Sequence, residues 1–169
     1  MIQTYHHGRF EFFVAIVVIA IIALAALSRY SLMEDDAKIL RMELISHQFM
    51  TGAANIRVKF LVANTGAERS NKTPFDIAGK RFYFSEQGWP LSVKAVVDDN
   101  YRPTDDDCYQ LWQLLLQNPA PIAKGKAANH REYRVFAQAG YCRYQMIKGG
   151  AYFDYVPLDG SLSFIPDTK

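Results

Sequence analysis

Apolar positions fall into three regimes along the chain, and each predicts a different kind of element. From Phe12 to Leu27, sixteen consecutive residues are apolar, with no polar position to define a face. A helix rises about 1.5 Å per residue, so this run is about 24 Å long, close to the ~30 Å hydrocarbon core of a bilayer. Phe10, Glu11, Ser28 and Arg29 then fall near the two interfaces. Four isoleucines and three valines would suit a strand, but sixteen residues exceed the usual strand length, so a helix is expected.

After the polar EDDAK stretch the apolar residues become periodic. Met42, Ile45, Phe49, Ala53, Ile56 and Phe60 recur at steps of three and four, which gathers them on one helical face. Glu34, Asp35 and Asp36 supply the negative charge that a helix start favours. No proline precedes Pro74, so the membrane helix is free to run straight into this one. Gly52 costs about 1 kcal/mol against alanine on such a helix and marks a kink or a close approach of another element.

The remainder changes to a period of two. NTGAERSNKTP is a turn-rich connection, and FDIAGKRFYFSEQGWPL predicts two strands, carrying Phe75 with Ile77 and Phe82 with Phe84, around a turn at Ala78, Gly79 and Lys80. SVKAVVD predicts a further short strand. In TDDDCYQLWQLLLQNP, Thr104 stands three residues before Asp107, close to a capping box, and opens a short helix that Pro119 is expected to stop. APIAKGKAANH predicts a loop. REYRVFAQAG, YCRYQMIKGG and AYFDYVPLDGSLSFI predict three strands separated by glycine turns.

The expected organisation is therefore an N-terminal tail (1–9), a transmembrane helix (10–33), an amphipathic helix (34–63) and a globular head (64–169). The fold class is α+β, a long helix laid on a C-terminal antiparallel sheet. Half of the 169 residues are apolar, enough to fill a core. Nineteen Lys and Arg are interspersed with seventeen Asp and Glu, giving a net charge of +2 and no basic run to track phosphates, which argues against a nucleic-acid partner.

Cys108 and Cys142 make an even count far from any C-x-x-C spacing, which fits one disulfide in an oxidising compartment better than a metal site. Two unpaired buried thiols are the alternative. Arg9 precedes the apolar run while Arg29, Lys38 and Arg41 follow it, so charge counting does not place the N-terminus in the cytoplasm. The head is oriented outward on the cysteine pair. Ala23-Leu24-Ala25 offers a signal-peptidase site after Ala25, but the region before the run has one arginine and carries Glu11 where a positive charge belongs, so an uncleaved anchor is preferred.

Candidate chemistry is sparse. A carboxylate such as Glu11 inside hydrocarbon costs several kcal/mol unless it finds a partner or the interface. His6 and His7 are adjacent and point about 100° apart on a helix, which rules out an i, i+4 metal pair. Asp98, Asp99, Asp105, Asp106 and Asp107 flank NYRPT and are a candidate calcium loop, though their spacing is not that of an EF-hand and a helix cap explains them. No G-x-S-x-G, Walker loop or H-E-x-x-H occurs, so no enzyme and no cofactor are expected. His47 and His130 read as surface or packing residues. The tyrosine-rich tail suits either the core of a sheet or a recognition face.

Gly8 ahead of a charged and then apolar helix with Glu11 near its start resembles the N-terminus of type IV pilins and pseudopilins. The tail CRYQMIKGGAYFDYVPLDGSLSF, with its cysteine, aromatic alternation and P-x-x-G turn, is similar to their C-terminal strands. ISHQFMTGAANIR, GWPL and DCYQLWQ are similar to minor-pilin-like members of the MSHA pilus biogenesis system. The resemblance implies a single-pass subunit of the bacterial inner membrane with a periplasmic head. Its partners would be other pilin or minor pilin subunits and pilus assembly proteins. Glu11 would pair with the N-terminus of a neighbouring subunit and set the register of packed helices. Gly8 would be the prepilin cleavage position. Cutting there leaves Arg9 first and Glu11 third, where the family has an apolar residue first and glutamate fifth, so an unprocessed N-terminus is expected.

Overall fold

A computed structural model describes residues 5–63, 74–77, 79–95, 101–127 and 130–166, with side chains in the first helix described for 10–29 and 36–63. Its backbone is helical from Tyr5 to Ala63 (α1), as the absence of proline allows. The chain divides into two compact units, Met1–Lys38 and Ile39–Lys169. The described part of the first is helix. All side chains from Phe10 to Arg29 are exposed within it.

In the second unit, the three-and-four periodicity of α1 becomes a buried stripe. Met42, Phe49 and Ala53 are wholly buried and Phe60 nearly so, with Ile45 and Ile56 half-buried at its edges. Ser46 is the polar residue on this stripe, and its hydroxyl donates to the Glu43 carbonyl at 2.7 Å. Burying one aromatic side chain of this kind is worth about 1.5–3 kcal/mol, so the stripe supplies much of what holds this stretch of helix in place.

Two sheets follow. β1 (Phe75–Ile77), β2 (Lys80–Phe84) and β3 (Pro90–Ser92) form a three-stranded antiparallel sheet in chain order. Its Phe82 and Phe84 close a small core with Phe60, whose ring stacks on Phe84 at 4.0 Å. The two strands expected in this region are both present. Of the described part of the strand expected over SVKAVVD, Ser92 belongs to β3 and residues 93–95 do not continue it. The Ser92 hydroxyl accepts the Lys94 N–H at 2.9 Å, drawing the backbone into a bend. Residues 96–100 lie outside the description.

The larger sheet runs in the order β4 (Ile122–Lys124), β5 (Tyr133–Gln138), β6 (Tyr141–Met146), β7 (Tyr152–Tyr155), β8 (Leu162–Ile165). β5 to β8 are an antiparallel meander, as expected, but the last expected strand is a hairpin of two. β4 was expected as loop. Its Ile122 and Ala123 are buried and pair in parallel with Tyr133 and Arg134, making the sheet mixed. A three-residue strand among lysines, glycine and alanines carries too little alternation to be read locally. The α+β class stands.

Between β3 and β4 lies α2 (Asp105–Leu115), opened by a complete capping box. The Asp107 N–H donates to Thr104 Oγ1 at 3.2 Å and the Thr104 N–H to Asp107 Oδ2 at 3.0 Å. Leu116 already has extended backbone angles, so the helix ends before Pro119 rather than at it. Cys108, Leu111, Trp112 and Leu115 face inward, and the Trp112 indole donates to the Ala120 carbonyl at 2.9 Å. α1 passes α2 so closely that a methyl group at Gly52 would stand 2.1 Å from the Leu115 carbonyl oxygen. The glycine marks a close approach, the second of its two expected meanings.

Candidate functional site

The most unusual surface is the helix surface from Phe10 to Arg29. Twenty residues long, it is apolar enough to cross a membrane and none of it is buried in the protein's own fold. Twenty helical residues rise about 30 Å, the hydrocarbon thickness of a bilayer. Phe10, Phe12, Phe13, Ile19, Ile22 and Leu24 are each more than 60% exposed, far beyond the scattered apolar residues of an ordinary soluble surface. Glu11 is the second residue of this segment and is exposed, as is Ala25. Gly8 lies in the helical backbone of α1, but the surroundings of Gly8, His6 and His7 fall outside the described residues.

The candidate calcium loop resolves into hydrogen bonds. Asp98 and Asp99 lie outside the described residues. Asp105 Oδ1 accepts the Ala137 N–H of β5 at 2.7 Å, beyond the point where β4 stops. Asp106 bridges Lys94 and Lys124, each at 2.7 Å, and hydrogen bonds from Lys124 and then Lys94 hold its carboxyl below the usual range. Asp107 closes the cap and accepts the Ser92 hydroxyl at 2.5 Å. Each of the three carboxylates of α2's first turn thus has N–H, O–H or ammonium donors. Among the described residues no group of three or more His, Cys, Asp or Glu is arranged to hold a metal ion.

Cys108 and Cys142 are joined in a disulfide that fastens α2 to β6 across 5.5 Å between Cα atoms, and both are fully buried. The two-thiol alternative is thereby set aside. The Tyr144 hydroxyl, from β6, donates to the Cys108 carbonyl at 2.9 Å beside it.

Tyrosines divide by strand alternation. Tyr133, Tyr144 and Tyr155 point inward and are fully buried, while Tyr141 and Tyr152 point outward and are half-buried. On that outer face Arg143 lies 4.1 Å above the Tyr152 ring and pairs with Asp154 through two bonds of 2.8 and 2.7 Å. Sequence reading missed this clamp. Its signal is the alternation Tyr141-Arg143-Gln145 facing Tyr152-Asp154, which becomes visible only once β6 and β7 are placed in register.

His47 and His130 are both exposed. His47 lines a groove of about 350 Å³ with Thr51, Asn55, Leu115, Gln117 and Asn118, where it is the sole titratable side chain. His130 lines a cleft of about 380 Å³ with Arg131, Glu132, Ile147 and Lys148. Glu132 there is committed to Arg41, whose Nη1 lies 2.8 Å from Glu132 Oε1. Neither place was legible as a site, because each is assembled from segments far apart in the chain.

Comparison with protein-family models, with curated proteins and with solved structures returned no match.

Proposed function

We propose that this chain is a non-enzymatic, membrane-anchored, pilin-like accessory subunit acting in the biogenesis of a type IV pilus of the MSHA kind. The observation that carries the reading is the Phe10–Arg29 segment, wholly apolar apart from its ends and unburied in the chain's own fold. Such a surface demands lipid or like helices. In the bilayer the segment stores the subunit. On extraction into a filament it packs against sister segments, and Glu11 sets the register by pairing with a neighbouring N-terminus.

The second unit supports the reading in two further respects. A disulfide in its core suits the periplasm, the oxidising side of the inner membrane. Its helix carries an apolar stripe on an antiparallel meander, the arrangement that the resemblance to pilins implies. The experiment is to shear pili from cells expressing a tagged full-length chain and to fractionate both products. Recovery of the chain in the pilus fraction, and a loss of piliation when it is deleted, are expected. Retention wholly in the membrane fraction with normal piliation would overturn the proposal.

That outcome would favour the second reading, a single-span periplasmic scaffold or binding domain. The position of Glu11, third after Gly8 rather than fifth, favours that reading. A pseudopilin role in type II secretion is a variant of the first reading, separated from it by a secretion defect in place of a piliation defect.

A further inference from the structure

The groove where α1 passes the end of α2 holds about 350 Å³, within the ~300–1,000 Å³ range of small-molecule sites. Its floor is formed by Gly52 and Leu115, which meet backbone to backbone. Its walls carry Gln48 and Asn55 from α1, and Gln117 and Asn118 from the chain leaving α2. From Gln48 to Asn55 the helical wall rises about 10 Å. Thr51 stands between them, its hydroxyl donating to the His47 carbonyl at 2.8 Å. No carboxylate, ammonium or guanidinium lines the groove.

The four amides set this place apart. On the large sheet, Gln138 accepts from the Tyr141 hydroxyl and Gln145 from Arg134, so those amides are spent within the fold. Gln48, Asn55, Gln117 and Asn118 make no side-chain hydrogen bond to any described residue, and the cleft beside His130 has no amide in its lining. The walls are fixed from behind. Phe49 and Ala53 seat α1 in the core, and the disulfide holds α2. The bond from the Trp112 indole to the Ala120 carbonyl fastens the segment that carries Gln117 and Asn118. A groove held in this way binds without first ordering itself.

We propose that this groove binds a neutral saccharide of one or two rings. A carboxamide presents two donors and one acceptor in a single plane. A sugar hydroxyl is donor and acceptor at once, so neighbouring hydroxyls satisfy both ends of one amide, where a peptide N–H or carbonyl satisfies one. With no fixed charge in the lining, phosphates, carboxylates and amines find no counter-ion. Leu115 supplies the apolar side chain against which the C–H face of a ring rests. All of these residues belong to the second unit, so the site is independent of whether the chain enters a filament.

The test is saturation-transfer NMR of the full-length chain in phosphatidylcholine nanodiscs, against millimolar maltose, cellobiose and N,N′-diacetylchitobiose, with empty nanodiscs as the blank. Transfer to at least one of the three is expected, with a Kd of about 1 mM. Asn55→Ala and Asn118→Ala should each weaken it about fivefold, the worth of one hydrogen bond. Both positions are exposed, and Gln48→Ala repeats the loss should either variant fold poorly. Absence of transfer to all three sugars, or transfer unchanged in every variant, overturns the proposal. Stronger transfer to acetyl-trialanine amide than to the sugars, lost in the same variants, overturns it in favour of a groove for an extended peptide.

Discussion

Gly52 and Leu115 touch backbone to backbone: the position a Cβ would take on Gly52 is 2.1 Å from the Leu115 carbonyl oxygen and 2.9 Å from its carbon. No rotamer change relieves such a contact, because neither side is the end of a flexible chain. Gly52→Ala must push α1 and α2 apart despite alanine's higher helix propensity. The expected loss is about 2–3 kcal/mol, the upper part of the range for overpacking. Thermal unfolding of the full-length chain in detergent, with the exposed Asn55→Ala as control, measures it. A stability equal to or above the parent would contradict the contact.

Phe49 is the centre of the larger core. Its ring lies 5.0 Å from Tyr144, 5.4 Å from Phe153 and 5.2 Å from Tyr155. Truncation leaves three aromatic rings facing a void, so Phe49→Ala is expected to cost about 3–5 kcal/mol by urea titration, while Phe49→Leu costs less than half of that. The smaller core of Phe82, Phe84 and Phe60 is a separate cluster that shares Ile56 with the larger one, so the effects of Phe84→Ala and Phe49→Ala should be close to additive.

Replacing Cys108 and Cys142 together by serine removes a link that spans 34 positions of sequence. Loop-closure entropy alone assigns it roughly 4 kcal/mol. Because both cysteines are fully buried, reductant added to the folded chain should leave the mass unchanged, and reductant with denaturant should add the mass of two hydrogen atoms. Reduction of the native chain would contradict their burial.

Stability should fall at both ends of the pH scale, for opposite reasons. Burial pushes the Tyr133 phenol up to about 12 and raises those of Tyr101, Tyr144 and Tyr155. A raised folded-state value means full stability below the unfolded value of about 10 and progressive loss above it. Tyrosinate absorbance should therefore include a cooperative alkaline step, from these buried phenols, that coincides with unfolding. At the acid end Asp106 sits below the ordinary carboxylate range, with its hydrogen bonds from Lys124 and Lys94 as the main cause. Its contribution is present above about pH 4 and disappears as the pH drops further. Lys94→Gln should weaken that acid limb and leave the alkaline one unchanged.

Ile19 lies in the apolar segment and is 66% exposed. Ile19→Lys places a charge mid-span, at a cost of about 2.5–3.5 kcal/mol on insertion scales. The variant should shift the chain from the carbonate-resistant membrane pellet toward the supernatant, with the unfolding midpoint of the second unit unchanged. Full retention in the pellet would count against a single span over Phe10–Arg29.

Elements written in long, consistent periods were legible in advance. The Met42–Phe60 stripe, the capped α2 and the β5–β6 hairpin all follow from spacing, because burial on one face forces the period on the sequence. Cys108 and Cys142 were readable as a pair but not as the staple between α2 and β6, which needs the tertiary fold. β4 was missed because three residues hold no period, and β3 stops at Ser92, where the serine hydroxyl takes the Lys94 N–H and bends the backbone that follows. The Arg143 clamp and the cleft beside His130 join residues that only strand register and loop closure bring together, so no local pattern announced them.

Where β4 ends, the Asp105 carboxylate takes up the next free amide of β5, that of Ala137. An incoming strand from another molecule would have to displace an anion that α2 holds rigidly in position before it met any backbone there. The stretch of β5 that β4 leaves uncovered is thus closed to growth by edge pairing, a local safeguard against aggregation through that backbone.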